Sequence, residues 1–178
     1  SFGIASLNGK IYIMGGRTYN PNTSGWDMLN DLLEYDPVNE VWTYKASMPT
    51  ARAWLRAVAV NGKIYAIGGS NNSTFLNITE VYNPLTNSWS TCASMNTTRA
   101  MAGIVTVKGK IYMMGGNIAT GGESGDICTN TVEEYNPATN TWCTKTSMIA
   151  SRAGCGAAVA QGGIYVVGGS CGTTKLRT

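Results

Sequence analysis

The 178-residue sequence contains no histidine, and this absence excludes more chemistry than any other feature of the composition. Histidine is the usual general base near neutral pH and the commonest metal ligand in proteins. A Ser-His-Asp or Cys-His catalytic arrangement therefore cannot form within this chain. The few acidic residues are scattered, with no spacing that indicates acid–base catalysis. We therefore predict a protein that is not an enzyme and that carries no metal or cofactor.

Cysteine is present in an odd number and without any C-x-x-C pair. The five residues are Cys92, Cys128, Cys143, Cys155 and Cys171. This pattern indicates neither a disulfide framework nor a zinc site. We expect mostly buried thiols in a reducing compartment, which predicts a cytoplasmic location.

Charged residues and long apolar runs are also scarce. The net charge is only +3, and no run of lysine or arginine resembles a nucleic-acid-binding surface. No segment approaches the ~18 consecutive apolar residues that a membrane-spanning helix needs. We therefore predict neither a nucleic-acid partner nor a membrane partner, while an acidic ligand held by locally placed arginines stays compatible with the composition.

What the sequence does contain is a repeated unit. Four copies of an I-Y-x-x-G-G motif end in the glycine pairs Gly15-Gly16, Gly68-Gly69, Gly115-Gly116 and Gly168-Gly169, whose starts are 53, 47 and 53 residues apart. Three segments carry tyrosine, proline, tryptophan, methionine and arginine at one fixed spacing: Tyr35, Pro37, Trp42, Met48 and Arg52; Tyr82, Pro84, Trp89, Met95 and Arg99; Tyr135, Pro137, Trp142, Met148 and Arg152. Only the segment between a glycine pair and the next tyrosine changes length, which indicates a rigid unit with one tolerant loop.

Each unit contains four strand signals. Apolar runs flank turns such as Asn61-Gly62-Lys63, and the I-Y-x-x-G-G segments are almost continuously apolar, as buried strands are. Four antiparallel strands form one blade, and blades that cannot bury both faces alone pack radially as a β-propeller. We predict that residues 1–178 belong to one all-β propeller domain, with hairpin units around 1–16, 31–69, 77–116 and 131–169.

The glycine pair, the Tyr-x-Pro, and the spaced tryptophan, methionine and arginine resemble kelch repeats over essentially the whole chain. The segment VYNPLTNSWSTCASM, residues 81–95, is similar in particular to the propellers of BTB-kelch proteins, the adaptors of cullin-type ubiquitin ligases. Four glycine-pair hairpins but only three Tyr/Trp hairpins give about 3.5 blades. We expect a partial propeller that belongs to a longer protein or, as the weaker alternative, is completed by other chains.

The resemblance also implies where a ligand binds. In kelch propellers the segments after the glycine pairs and those entering the inner strands lie on one face. Here these segments contain arginines together with amides and hydroxyls, which suit carboxylate or phosphate groups. Arg17 and Arg56 attract attention because they occur in one repeat only; glycine stands at the equivalents of Arg56. The candidate ligand-binding residues are Arg17, Arg52, Arg56, Arg99, Arg152, Asn71 and Asn117.

Two roles remain open for the repeated arginines Arg52, Arg99 and Arg152, which either contact a ligand or brace neighbouring blades. For Arg56, the alternative to a channel anion site is a side chain that simply reaches solvent. We predict a protein-interaction module that binds an acidic peptide segment, as the resemblance to ubiquitin-ligase adaptors implies. Alternatives are a kelch-type oxidase or mutarotase acting on sugars, or an actin-binding scaffold. Actin or a cullin scaffold would be bound through regions outside this chain.

Overall fold

The structure, a computed structural model, describes residues 1–119 and 127–176. Its regular secondary structure over these residues consists of β-strands, which are arranged as successive antiparallel sheets. No helix in these two ranges is long and apolar enough to cross a membrane.

Three four-stranded blades follow one another along the chain. Blade 1 contains β1 (Gly3–Leu7), β2 (Lys10–Met14), β5 (Leu32–Asp36) and β6 (Val41–Lys45). Blade 2 contains β7 (Arg56–Val60), β8 (Lys63–Ile67), β9 (Thr79–Asn83) and β10 (Ser88–Cys92). Blade 3 contains β11 (Gly103–Val107), β12 (Lys110–Met114), β15 (Val132–Asn136) and β16 (Thr141–Lys145). Each strand pairs with the next strand of its blade, from the innermost to the outermost.

A fourth blade is represented by one hairpin, β17 (Gly156–Ala160) with β18 (Gly163–Val167). The first strands of the four blades, β1, β7, β11 and β17, lie side by side. This arrangement confirms the predicted all-β, kelch-type propeller with four-stranded antiparallel blades and about 3.5 blades present.

The segments after the glycine pairs differ from the expectation of plain loops. Three of them form two-stranded ribbons: β3 (Arg17–Asn20) with β4 (Gly25–Met28), β13 (Asn117–Ala119) with β14 (Ile127–Cys128), and β19 (Ser170–Cys171) with β20 (Thr174–Lys175). The first ribbon is stabilised by a cross-strand aromatic pair, Tyr19 and Trp26, with ring centroids 5.5 Å apart. Residues 120–126, counted among the polar loop residues in the sequence, lie outside the described ranges.

The hydrophobic core lies between blades rather than within them. One cluster of buried side chains joins blades 1 and 2 and includes Met14, Leu32, Leu55, Ile64 and Tyr82. A second cluster joins blades 2 and 3 and includes Ile67, Met95, Ile111, Met113 and Tyr135. Because one sheet alone cannot shield these side chains from water, each blade depends on its neighbour for burial.

The repeated tyrosine and tryptophan help to connect adjacent blades by hydrogen bonds, the tyrosine through an asparagine side chain and the tryptophan directly. Asn87 Oδ1 accepts hydrogen bonds from the Tyr82 hydroxyl at 2.8 Å and from the Ala46 amide of the preceding blade at 3.0 Å. The indole of Trp89 donates to the Ala46 carbonyl at 2.7 Å. The third blade has the same set of hydrogen bonds, made by Tyr135, Asn140, Trp142 and Ala93.

The glycine pairs permit a close approach of two backbones. A Cβ on Gly15, where φ is +62°, would lie 2.5 Å from the Arg52 carbonyl oxygen, nearer than side chains tolerate. The next residue, Gly16, donates its amide to that same carbonyl at 2.9 Å. Glycine is required here because any side chain would displace the segment that leads into the next blade.

The cysteines do not follow the expectation from sequence. Cys128 and Cys171 are paired as a disulfide with Cα atoms 5.6 Å apart, and Cys143 is exposed, so the prediction of mostly buried thiols without disulfides is wrong. Cys155 is buried and Cys92 partly buried. The paired residues are 43 positions apart and meet only when the ribbons of blades 3 and 4 become neighbours, which spacing alone does not reveal. The cytoplasmic location stays a prediction.

Candidate functional site

Each segment after a glycine pair packs against the segment that enters the inner strand of the same blade. Backbone hydrogen bonds join Ala53 to Ser70, Ala100 to Asn117 and Ala153 to Ser170, at 2.8–3.0 Å in both directions. We call the surface formed by these two sets of segments the loop face. The residues that the sequence selected as ligand-binding lie in these segments or, for Arg56, directly after one of them.

A chain of backbone hydrogen bonds crosses the loop face from blade to blade. It runs through the residue two positions after each repeated arginine: the Met101 amide donates to the Trp54 carbonyl at 3.1 Å, and the Gly154 amide donates to the Met101 carbonyl at 2.8 Å. Trp54 also donates to the Ser1 carbonyl at 2.6 Å. All three residues have positive φ, +54° for Trp54, +55° for Met101 and +65° for Gly154. A left-handed backbone is unusual for a residue as bulky as tryptophan.

Arg17 lies at the start of β3, directly after the first glycine pair, between two tryptophans. Its guanidinium carbon is 4.2 Å from the ring centroid of Trp26 and 4.4 Å from that of Trp54. Such cation–π contacts hold the side chain in place without neutralising its charge. Within the described ranges Arg17 has no ion pair and its side chain has no hydrogen-bond acceptor. We call Arg17, Trp26 and Trp54 the Arg17 clamp.

Backbone contacts fix both tryptophans of the clamp. Trp26 lies in β4, paired with β3, and its carbonyl accepts a hydrogen bond from the Asn72 side chain at 2.5 Å. Trp54 is held by its amide and carbonyl in the inter-blade chain. The clamp therefore joins the ribbon of blade 1 to the loop and the entering segment of blade 2.

All three repeated arginines are buried, and two of them have no exposed side-chain surface. The side chains of Arg52 and Arg99 have 0% exposure. The Arg52 guanidinium pairs with Glu80 at 2.5 Å, and Arg99 pairs with Glu133 at 2.5 Å. Burial lowers the pKa of each guanidinium, and the adjacent carboxylate opposes that change. These two side chains are therefore committed to the interior.

Further hydrogen bonds complete each ion pair. Arg52 donates to the carbonyls of Thr50 and Ala66 at 3.0 and 3.1 Å, while Thr50 donates its hydroxyl to Glu80 at 2.7 Å. The carbonyl of Arg52 accepts from blade 1 while its guanidinium enters blade 2. The sequence left bracing and ligand contact open for these arginines, and this geometry supports bracing.

Arg152 occupies the equivalent position of the fourth blade. It is buried, and its guanidinium donates to the Gly168 carbonyl at 2.8 Å. Arg99 makes the same bond to Gly115, at 2.9 Å. In these two repeats the spacing of 16 residues between arginine and glycine reflects a contact within one blade.

Arg56 begins β7, the inner strand of blade 2, and is half-buried. Its Nε donates to the carbonyl of Ala102, at the entrance to the inner strand of blade 3, at 2.5 Å. Within the described ranges no carboxylate pairs with it. Burial lowers the pKa of Arg56. Its position next to the neighbouring inner strand is compatible with both roles that the sequence left open.

The two candidate asparagines occupy different environments. Asn71 is exposed, and its side-chain oxygen accepts from the amides of Ser73 and Thr74 at 3.3 and 3.0 Å, so it shapes its own turn. Asn117 is buried at 5% exposure and bonds through its backbone to Ala100. Arg17 and Arg56 both combine partial exposure with a charge left unpaired within the described ranges, and of the two only Arg17 makes no side-chain hydrogen bond there.

Sequence reasoning missed Trp26 and Trp54, although a signal was present. Three of the five tryptophans recur with the repeat, and these two do not. Arg17 also stands outside the repeat, and the structure brings together these three non-repeating residues. Sequence reasoning also did not identify Glu80 and Glu133 as the ion-pair partners of Arg52 and Arg99, although each glutamate follows its arginine within the same blade.

A second group of charges lies away from the clamp, around Glu134 of β15. Its carboxylate accepts hydrogen bonds from Tyr112 and Lys110 and pairs with Lys145 at 3.2 Å. Burial opposes ionisation, but the bonds from Tyr112, Lys110 and Lys145 prevail and lower the pKa of Glu134 to about 2. The hydrogen bond between Tyr112 and Glu134 raises the pKa of Tyr112 to about 12.

Blade 1 has the same arrangement, with Glu34 contacted by Lys10, Tyr12 and Lys45. Blade 2 has Val81 at this position of the third strand. These carboxylates are satisfied by their own blade, so we assign them to stability. No group of three or more cysteine, aspartate or glutamate side chains able to hold a metal occurs in residues 1–119 and 127–176.

Comparison with known proteins places this architecture in a family. A family model described as the KLHDC2/KLHL20/DRC7 Kelch-repeats domain matches residues 8–177. The chain belongs to the kelch-repeat family. Kelch-like protein 33 from Homo sapiens is 31% identical over 172 residues, covering 96% of this chain and 22% of that protein. Kelch repeat and BTB domain-containing protein 12 from Danio rerio is 36% identical over 69 residues, 37% of this chain and 11% of that protein.

These relatives confirm the resemblance to kelch proteins of the BTB-kelch type. The chain matches only 22% and 11% of their length, respectively. The solved structure of YjhT superposes with a TM-score of 0.82, covering 94% of this chain and 58% of that one. Its sequence identity is 20%, so this likeness supports the propeller fold alone.

Proposed function

We propose that this kelch propeller is a protein-interaction module that captures an acidic segment of a partner on its loop face. The observation that carries the proposal is the Arg17 clamp. Its guanidinium is positioned by two indoles and has no acidic partner in the described part of the chain. A positive charge that is held in place but left without a counterion favours an anionic ligand.

Arg17 differs from the other repeat-region arginines because its guanidinium N–H donors are not used by described residues. The guanidinium groups of Arg52 and Arg99 donate hydrogen bonds to glutamates and backbone carbonyls inside a blade. Arg17 is partly exposed, and the N–H groups in the plane of its guanidinium are not consumed by described residues. A guanidinium makes paired, charge-assisted bonds with a carboxylate, and a pre-positioned side chain loses less rotamer freedom on binding.

Arg56 supplies a second positive group near the inner strands. It lies two residues after Trp54, at the start of β7, and no carboxylate in the described ranges pairs with it. We propose that it adds to the positive potential that attracts the acidic segment rather than forming the primary contact.

The kinship with BTB-kelch proteins supports a finer proposal, that the propeller is the recognition part of a cullin-type ubiquitin-ligase adaptor. A BTB and BACK region in the sequence that flanks these 178 residues would support this assignment, whereas a signal peptide there would contradict it. A cytoplasmic location and the lack of enzymatic activity are part of the same proposal.

Binding of the purified protein to an array of randomised octapeptides tests the proposed function. We expect enrichment of peptides that contain aspartate or glutamate, and a loss of about tenfold in their affinity for Arg17→Ala. Lys63→Ala is the matched control, because Lys63 is exposed at the start of β8 and its charge is not paired by described residues. Equal losses in the two variants, or no acidic enrichment with the wild type, would refute the proposal.

A further inference from the structure

A covalent link on the loop face joins the ribbons of blades 3 and 4. Cys128 of β14 and Cys171 of β19 form a disulfide, with Cα atoms 5.6 Å apart. We propose that this pair is a site of reversible thiol–disulfide exchange with a small thiol such as glutathione, and that its opening releases the blade 4 ribbon from the blade 3 ribbon. The inference goes beyond the proposed function and does not involve the Arg17 clamp.

The paired cysteines can be reached from solvent. Both residues are partly exposed, whereas the free thiol of Cys155 is buried at 6% exposure. Cys128 also lines a cavity of about 210 Å³ on the loop face, together with Gly154 of the segment entering blade 4. Because an attacking thiolate must reach a sulfur atom of the disulfide, this exposure and the adjoining cavity favour exchange at the pair.

Backbone hydrogen bonds tie each ribbon to its own blade. Asn117 of the blade 3 ribbon bonds in both directions to Ala100, and Ser170 of the blade 4 ribbon bonds in both directions to Ala153, at 2.8–3.0 Å. Across the boundary, the Cys128 sulfur forms the disulfide and lies 3.5 Å from the Ser170 carbonyl oxygen. The strands β19 and β20 have two residues each, and so short a pair is marginal alone. Opening the disulfide therefore frees the blade 4 ribbon while the blades stay connected through their entering segments.

Reduction of the pair consumes two molecules of the small thiol. The thiolate of the first attacks one cysteine sulfur: the bond between the two cysteines breaks, a mixed disulfide forms, and the other cysteine leaves as a thiolate that takes a proton from water. The thiolate of the second attacks the mixed disulfide and releases the remaining cysteine together with the oxidised dimer of the small thiol. The pair thereby gains two electrons and two protons, and the reverse sequence closes it when the oxidised dimer is in excess.

The ribbon of blade 1 provides an internal comparison, because its contacts with blade 2 contain no sulfur–sulfur bond. Trp26 in this ribbon accepts a hydrogen bond from Asn72 at 2.5 Å, and Arg17 contacts both Trp26 and Trp54. A thiol leaves these contacts unchanged, so reduction should loosen the loop face at blade 4 and leave it ordered at blades 1 and 2. A partner that spans the ribbons of blades 3 and 4 would bind the two redox forms unequally.

The test uses the purified 178-residue protein in buffers with increasing ratios of reduced to oxidised glutathione. Acid quenching, alkylation and peptide mass mapping measure the fraction of Cys128 that is still joined to Cys171. We expect this fraction to fall as the ratio rises and to recover when the ratio is reversed.

Hydrogen exchange measured by mass spectrometry follows the ribbons in the same samples. The amides of β19 and β20 should exchange at least about tenfold faster in the reduced protein, while those of β3, β4 and β12 should be unchanged. Cys171→Ser should show the faster exchange without any reductant. Cys143→Ser, a change at an exposed unpaired cysteine, should behave like the wild type.

Three results would overturn the proposal. A pair that stays closed at every glutathione ratio and opens only after unfolding in urea would be a purely structural cross-link. Opening without faster exchange in β19 and β20 would show that the ribbon is not released, and faster exchange in β12 as well would show that reduction unfolds blade 3. Reversible reduction of the wild type keeps the test decisive if Cys171→Ser does not fold. None of these measurements uses an acidic peptide, so their outcome is independent of the proposed function.

Discussion

Arg52 and Glu80 form an ion pair inside the second blade, with 2.5 Å between nitrogen and oxygen and side-chain exposures of 0% and 3%. The backbone of Arg52 meanwhile accepts a hydrogen bond from Gly16 of the first blade. One residue thus fastens two blades, through its carbonyl on one side and its guanidinium on the other. Arg99 and Glu133 repeat the arrangement one blade further along.

The first prediction concerns this buried pair. Glu80→Ala leaves the guanidinium of Arg52 without a counterion in the interior, so we expect a loss of about 3–5 kcal/mol in the free energy of unfolding. The double variant Arg52→Met/Glu80→Leu removes both charges and should lose much less. The midpoint of urea denaturation measures both effects. Arg17→Ala serves as the control and should change stability little, and a tolerated Glu80→Ala would contradict the bracing role.

The second prediction concerns pH. The pKa of Glu134 in the folded protein is about 2, against a usual value of 4.5, so the unfolded chain takes up the proton first as the pH falls. The stability that this carboxylate contributes is therefore fully present above pH 4.5 and is lost between pH 4.5 and about 2. Glu134→Gln should cost about 1–3 kcal/mol at pH 7, and the difference from wild type should shrink over that acidic range.

Thermal unfolding followed from pH 7 to pH 2 measures this difference. Val81→Ala, at the equivalent position of blade 2, is the control because it introduces no titrating group. Its difference from wild type should be nearly independent of pH. A Glu134→Gln difference that stays constant down to pH 2 would show that the bonds from Tyr112, Lys110 and Lys145 do not hold the carboxylate ionised.

The third prediction concerns the disulfide between Cys128 and Cys171, which links ribbons of neighbouring blades across 43 residues. Closing a loop of this length restricts the unfolded chain, so reduction or Cys171→Ser should lower stability by about 2–4 kcal/mol. Peptide mapping without reductant should recover the cross-linked pair. Cys143→Ser, a change at an exposed unpaired cysteine, should have little effect. Alkylation of all five thiols in unfolded, unreduced protein would exclude the bond.

The repeat made the fold predictable from sequence, whereas much of the candidate site was not. Tyr82, Trp89 and the glycine pairs recur at constant spacing because every blade meets its neighbour in the same way. Burial of Arg52 was not predictable, because its partner Glu80 becomes a neighbour only when the third strand of the blade pairs.

The clamp depends on contacts between blades that no local pattern encodes. Arg17, Trp26 and Trp54 are scattered over 38 residues and belong to two blades. Their shared signal is that each stands outside the repeat, and for Arg17 this was sufficient to select it. The disulfide escaped prediction for the same reason, since Cys128 and Cys171 meet across a blade boundary.

The most direct test of the central claim is an NMR titration with an acidic peptide retained from the array, in which the chemical shifts of the indole N–H groups are followed. The chain has five tryptophans, and only Trp26 and Trp54 contact Arg17 among the described residues. Binding at the clamp should shift these two signals with one common dissociation constant, and should leave those of Trp89 and Trp142 in place because they bond between blades. Shifts confined to other tryptophans, with Trp26 and Trp54 unchanged at saturation, would place the acidic segment elsewhere and contradict the account.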